Sequence, residues 1–185
     1  MKTRLGREIG AVEASWWFRH QLTRLVHRVG RDPRWRTVMA IAPDTALTSR
    51  AVPAWVRRMP QGQGDLGSRI ARALAAQPAG PALLIGADVP GVRACHIAHC
   101  FEVLGQADAV LGPAEDGGFW AIGLSSPRPL PTGIFAGARW STPHAMADTV
   151  ARLDPRRIGI ADRLGDVDTA ADLKRLAEPI GRRVP

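Results

Sequence analysis

Leu84-Ile85-Gly86-Ala87-Asp88-Val89-Pro90 and Val110-Leu111-Gly112-Pro113-Ala114-Glu115-Asp116-Gly117-Gly118-Phe119-Trp120 decide the reading of this chain. Each is an apolar run that ends in an acidic turn. Short apolar runs bounded by turn residues read as buried strands. In an open α/β sheet, ligands bind outside the carboxyl ends of the strands. Carboxylates at such ends, beside glycines that let a ligand approach the backbone, suit a metal ion and phosphate groups.

Outward from these turns, strands and helices alternate. Gly6 to about Val29 carries Ile9, Val12, Trp16, Trp17, Leu22, Leu25 and Val26 at mostly helical spacing. Arg36–Ala42 reads as a buried strand closed by Pro43-Asp44, and residues 44–60 as a loop with a short helix around Ala54–Arg57. Asp65 is positioned to cap a helix whose inner face carries Leu66, Ile70, Ala73 and Leu74. Ala82–Gly86 is a strand, and Arg93–Leu104 a helix with Ile97, Cys100, Phe101 and Leu104 inward. Ala109–Gly112 and Phe119–Leu124 are strands, and the proline-rich tract Ser125–Pro131 is a surface loop. Thr142 and Pro143 suit the cap and first position of another helix. Arg157–Ala161 reads as a short strand and Thr169–Leu176 as the last helix. The alternation predicts a mostly parallel sheet covered on both faces. The chain opens almost directly into a helix, so the buried strand with which doubly wound folds begin is expected to be missing.

The 185 residues suit a single domain, 1–185. No apolar run reaches the roughly 18–20 residues that span a bilayer. Cys95 and Cys100 form neither a CxxC pair nor a disulfide framework and read as core cysteines on one helix, which makes a cytoplasmic location the default. The net charge of +8 comes almost wholly from scattered arginines, since only Lys2 and Lys174 are lysines. With no tyrosine and no basic run interleaved with aromatics, nucleic-acid binding is disfavoured. A small anionic substrate such as a nucleotide accounts better for part of the charge.

Each candidate motif carries a plain structural reading beside a functional one. Gln61-Gly62-Gln63-Gly64-Asp65-Leu66-Gly67-Ser68-Arg69 is a Gly-rich loop entering a helix, either an anion site or an ordinary cap. It is not a Walker loop, because no Gly-Lys-Ser/Thr follows. Asp88 serves equally as a turn former or as a ligand for Mg²⁺, which takes one or two carboxylates plus substrate phosphates. Glu115-Asp116-Gly117-Gly118 is either a hairpin turn or a site in which something positive offsets two neighbouring carboxylates. Gly165-Asp166-Val167-Asp168-Thr169 precedes a helix that Asp168 or Thr169 would cap. The histidines form no ligand pattern. Exposed tryptophans among Trp16, Trp17, Trp35 and Trp55 would mark a partner surface, although core packing is the commoner use.

Taken in order, Lys2-Thr3-Arg4-Leu5, Gln63–Arg69, Ile85–Pro90, Leu111–Phe119 and Trp140–Thr142 resemble the DUF2064 group of bacterial proteins, related to the 2-phospho-L-lactate guanylyltransferases. The resemblance implies a Rossmann-like three-layer α/β/α nucleotide-diphospho-sugar transferase (GT-A) fold. It further implies a metal-dependent transferase, glycosyltransferase-like, with a nucleotide or nucleotide-sugar donor, an unknown small-molecule acceptor and Mg²⁺ or Mn²⁺. By the same resemblance, Asp88 holds the metal with Asp168 as the second-ligand candidate and Asp116 as its competitor; otherwise Asp116 orients the acceptor or acts as base. Lys2, Arg4 and Arg69 meet phosphates, and Gly64, Asp65, Gly67, Gly117 and Gly118 line the donor cleft. The alternatives are nucleotidyl (guanylyl) transfer, or a degenerate, non-catalytic nucleotide-binding protein. The group carries a strand and a Gly-containing loop ahead of the position of Lys2, so either Met1 is not the true start or the chain is a decayed member. Phe119 stands where the group usually has Tyr.

Overall fold

The computed structural model describes residues 3–49, 52–127, 129–167 and 169–177. The predicted first helix is two helices, α1 (Thr3–Ile9) and α2 (Ala11–Val29). They break at Gly10, whose φ of 96° is a left-handed conformation that an L side chain resists. The apolar spacing runs through this joint, so periodicity alone could not reveal it. Leu5, Ala14 and Val167 then bury themselves together beneath Trp17 and Leu173.

Strand β1 (Val38–Ile41) pairs in parallel with β2 (Arg57–Pro60) as a two-stranded sheet. β2 corrects the expectation of a loop with a helix near Ala54; a 3-10 turn at Asp44–Thr48 lies between the two strands. Helix α3 (Leu66–Ala75) leads to β3 (Ala82–Ile85), and α4 (Ala94–Leu104) follows. Next come β4 (Ala109–Pro113), β5 (Phe119–Leu124), α5 (Ala145–Leu153), β6 (Ile158–Ile160) and α6 (Ala170–Ala177). The second sheet has the order β3-β5-β4-β6. β4 and β6 are parallel, and β5 runs antiparallel to both β3 and β4, so three of its four strands point one way.

Two apolar layers sandwich that sheet. On one face, Leu25 and Val29 of α2 and Ile97, Cys100 and Leu104 of α4 pack on Val110 and Trp120. On the other, Ile70 and Leu74 of α3 and Leu153 of α5 pack on Leu111, Ile122 and Leu124. Such double coverage explains why β4 reads as a continuous apolar run rather than an alternating one.

Three local expectations change. α5 begins at Ala145 rather than at Pro143, because the Thr142 hydroxyl accepts from His144 N and donates to Arg139 O, making a turn ahead of the helix. Cys95 is exposed, whereas Cys100 is buried. Trp16 and Trp55 are exposed, with Trp17 and Trp35 half-buried.

Candidate functional site

The carboxyl ends of β3, β4 and β6, with the amino end of the antiparallel β5, form one rim, and a chain of specific contacts joins it to the loops after β1 and β2. Asp44, after β1, accepts from Gly62 N at 3.2 Å and so ties the Gly-rich loop to the first sheet. Asp65 caps α3 by accepting from Ser68 N at 2.8 Å, and these Ser68 hydrogen bonds hold its carboxyl below the usual carboxylate range. Gly67 is buried, and a Cβ there would lie 2.7 Å from Trp140 and 2.9 Å from Phe135, so its role is close approach between α3 and the 135–140 segment. Arg69 Nε donates to Gly64 O at 3.0 Å. Arg4, on α1, donates to Ser141 O at 3.4 Å; Ser141 itself has φ 60°, an uncommon conformation for a residue with a side chain.

The acidic turn lies beside this segment. β4 and β5 form an antiparallel pair closed by Ala114 N donating to Gly118 O, and Asp116 Oδ1 accepts from Gly118 N at 2.8 Å. The hairpin reading of Glu115–Gly118 is therefore what the backbone does. Gly117 (φ 85°) presses against Pro143 and accepts from Met146 N through its carbonyl, docking the turn on the approach to α5. Glu115 pairs with Arg175 of α6 at 3.2 Å, the positive partner that neighbouring carboxylates call for; Arg175 also pairs with Asp172.

Asp88, after β3, is half-buried, with its carboxylate folded back over Gly86: a Cβ at Gly86 would lie 2.8 Å from Asp88 Oδ1. Its carbonyl accepts from Val167 N at 3.2 Å. Two residues earlier, a Cβ on Gly165 would lie 3.2 Å from the Glu115 carboxyl. Residues 165–167 thus run from the Glu115 turn to Asp88, bringing together three acidic segments that lie far apart in sequence. Lys2 and Asp168 lie outside the described residues.

Some contributors carry no sequence signal. Arg28 of α2 donates to Pro90 O at 2.6 Å and Val92 O at 3.0 Å, clamping the loop that follows Asp88. The Glu115–Arg175 pair joins positions sixty residues apart. Glu115 lay inside the motif, but nothing marked Arg175 among so many arginines.

Among the described residues, no three His, Cys, Asp or Glu side chains are grouped to cage a metal. The rim instead offers separate carboxylates, a donor set that fits a hard cation sharing its coordination with phosphate oxygens and water. Burial pushes the Cys100 thiol up to about 12, so that residue is not suited to act as a thiolate. A cavity of about 330 Å³ lined by Arg34, Trp35, Ala98, Phe101 and Glu102 lies at the opposite end of β1 and takes no part in the rim.

The fold is a mixed α/β architecture similar to that of a nucleotide-diphospho-sugar transferase. Residues 25–142 match the family DUF2064, described as an uncharacterized protein conserved in bacteria, and the chain belongs to that family. A crystal structure from Desulfovibrio desulfuricans G20, named as a candidate nucleotide-diphospho-sugar transferase, superposes with a TM-score of 0.81 at 24% identity, covering 99% of this chain and 82% of that one. The homologue of Mycobacterium tuberculosis rv0371c from Mycobacterium sp. strain JC1 superposes with a TM-score of 0.52 at 18% identity, over 86% of this chain and 80% of that one. No curated protein matches the sequence. No helix among the described residues is long and apolar enough to cross a membrane.

Proposed function

We propose that this protein is a metal-dependent transferase that takes a nucleotide-activated donor, in the manner of a glycosyltransferase, and passes a group to a small acceptor. The observation that carries the reading is the hydrogen bond from Val167 N to Asp88 O, which seats the late acidic segment beside the first acidic turn. The name given to the Desulfovibrio desulfuricans fold-mate supports the donor class.

In this reading Asp88 holds Mg²⁺ or Mn²⁺, with Asp168 as second ligand. Bound there, the cation would neutralise the donor's phosphates and the leaving group. The chain's own residues do the rest by position and charge. Lys2, Arg4 and Arg69 pair with phosphate oxygens. Asp65 already occupies the α3 amino terminus with a negative charge, so Gly64, Asp65 and Gly67 shape the donor cleft rather than grip phosphate. Gly117 and Gly118 keep the opposite wall low, and Asp116 orients the acceptor hydroxyl or takes its proton. The same reading places the protein in the cytoplasm, where donor nucleotides are made and thiols such as Cys95 stay reduced.

Calorimetry with Mg²⁺ and a panel of GTP, CTP, UTP and nucleotide sugars tests the reading. At least one member should bind, with the heat lost in Asp88→Asn. Binding by none of them, or binding unchanged in Asp88→Asn, would overturn it.

A further inference from the structure

Helix α2 buries one side and leaves a stripe of the other in solvent. Val12, Trp16, His20, Thr23 and His27 follow one another at intervals of three or four residues, so they share one face of the helix. All five are exposed, Val12 at 77% and Trp16 at 63%. The stripe spans roughly 22 Å at the α-helical rise. Single exposed apolar side chains are ordinary on a protein surface, whereas tryptophans gathered on one face mark a contact site.

Trp55 extends the stripe past the carboxyl end of α2. It is 39% exposed, its ring meets that of His27 edge-on with centroids 5.8 Å apart, and it lies against Gly30 just after the helix. Each of these two tryptophans is itself set against a basic group. The His20 and Trp16 ring centroids are 3.9 Å apart, and the Arg31 guanidinium carbon is 4.7 Å from the Trp55 ring centroid. Arg19 and Arg24, both exposed, flank the stripe on its two sides. Against these three arginines and two histidines, α2 carries one carboxylate, Glu13, which folds back toward Gly10 at the amino end of the helix. The face is therefore cationic and convex, with indole rings along it.

We propose that this face docks the protein on an anionic lipid surface, with α2 lying along the membrane and Trp16 and Trp55 entering the headgroup layer. Charge complementarity selects the occupant. A second copy seated here by two-fold symmetry would set a cationic face against itself, Arg19, Arg24 and Arg31 on both sides. A bilayer of anionic lipids meets the arginines with negative charge and takes up the indole rings, which suit the boundary between headgroups and acyl chains. Helices that lie in the plane of the interface combine these two ingredients, basic residues and an apolar stripe that carries tryptophan. A single nucleic-acid strand fits less well, because it needs a groove lined with open ring faces. Trp16 and Trp55 each give one ring face to a basic group, and they stand beside Val12, which offers a base nothing to stack on.

Vesicle sedimentation of the full chain separates location from net charge. The parent should pellet with phosphatidylcholine vesicles that contain phosphatidylglycerol and not with phosphatidylcholine alone. Arg19→Gln/Arg24→Gln and Arg152→Gln/Arg157→Gln remove the same charge, the first pair from this face and the second from exposed positions on α5 and just ahead of β6. The first pair should weaken vesicle binding on the order of tenfold or more, and the second less than about threefold. Val12→Glu, at a position open to solvent in the free protein, should weaken binding while circular dichroism stays that of the parent. Lipids spin-labelled near the headgroup should quench the tryptophan fluorescence of the parent and leave that of Trp16→Phe/Trp55→Phe unquenched. A parent that ignores anionic vesicles would overturn the proposal, as would equal losses for the two arginine pairs, an unaffected Val12→Glu, or quenching that survives in Trp16→Phe/Trp55→Phe. So would a parent that leaves vesicles alone and binds single-stranded RNA through Arg19 and Arg24. No nucleotide donor enters these measurements, so their outcome is separable from the transferase reading.

Discussion

Replacing Gly117 with alanine tests how the acidic turn is held. Two costs combine at this position. With φ 85°, any L side chain pays roughly 1–2 kcal/mol for the left-handed conformation. The added Cβ would also lie 2.4 Å from Pro143 O and 2.7 Å from Pro143 Cα, backbone atoms that cannot swing aside. Forcing extra volume into packed surroundings costs typically about 1–3 kcal/mol. Gly133 provides the control: its φ is 71°, but the nearest atom to an added Cβ is Ala136 Cβ at 3.5 Å, an ordinary contact. Gly133→Ala should therefore lose roughly 1–2 kcal/mol and Gly117→Ala roughly 2–5 kcal/mol. Alanine's restriction of the unfolded chain offsets both by a similar amount. For a chain of this size about 2–4 °C of Tm accompanies each kcal/mol, so Gly117→Ala should melt several degrees below Gly133→Ala. Urea unfolding of the two variants beside the parent measures the difference. Equal losses would refute the claim that Pro143 presses on the turn.

Three further outcomes follow from other contacts. Asp65→Ala removes the α3 cap to Ser68 N and should cost about 0.5–2 kcal/mol in urea unfolding, with Asp65→Asn nearer the parent. The Arg139 guanidinium, which donates to Asp148 through Nε and Nη2, holds that carboxyl well below its ordinary 3.8. A depressed folded-state value stabilises the protein above pH 3.8 and loses that contribution as pH falls below it; the parent's acid unfolding should thus be steeper than that of Asp148→Asn, and identical profiles would count against the pair. Exposed Cys95 should react with a thiol reagent in the native protein, while buried Cys100 reacts only on unfolding, so mass spectrometry should find one adduct before denaturation and two after.

The strand–helix alternation was legible because β4 and β5 are buried on both faces and write themselves as apolar runs. β2 was not: Arg57-Arg58-Met59-Pro60 is charged and ends in proline, a composition suited to an edge strand and indistinguishable from loop in sequence. The joint at Gly10 was hidden because a single glycine left the helical spacing intact on both sides. At the rim, the residue types of the acidic turns were readable, but their mutual placement was not. Nothing in the sequence says that Gly165 and Val167 lie against Glu115 and Asp88, because that meeting depends on β6 pairing with β4. Several predicted site residues also make structural contacts: of the donor-cleft set, Asp65 caps α3 and Gly67 permits the Trp140 contact, and Asp116, predicted as base or acceptor-orienting residue, bonds Gly118 N.

Electron paramagnetic resonance of Mn²⁺ in the presence of nucleoside diphosphates reads the Asp88 rim directly. With the donor's nucleotide present, adding the parent protein should reduce the free-ion signal well beyond what nucleotide alone achieves, and adding Asp88→Asn should not. A free-ion signal that both proteins leave equally untouched, or reduce equally, would contradict a cation held at the end of β3.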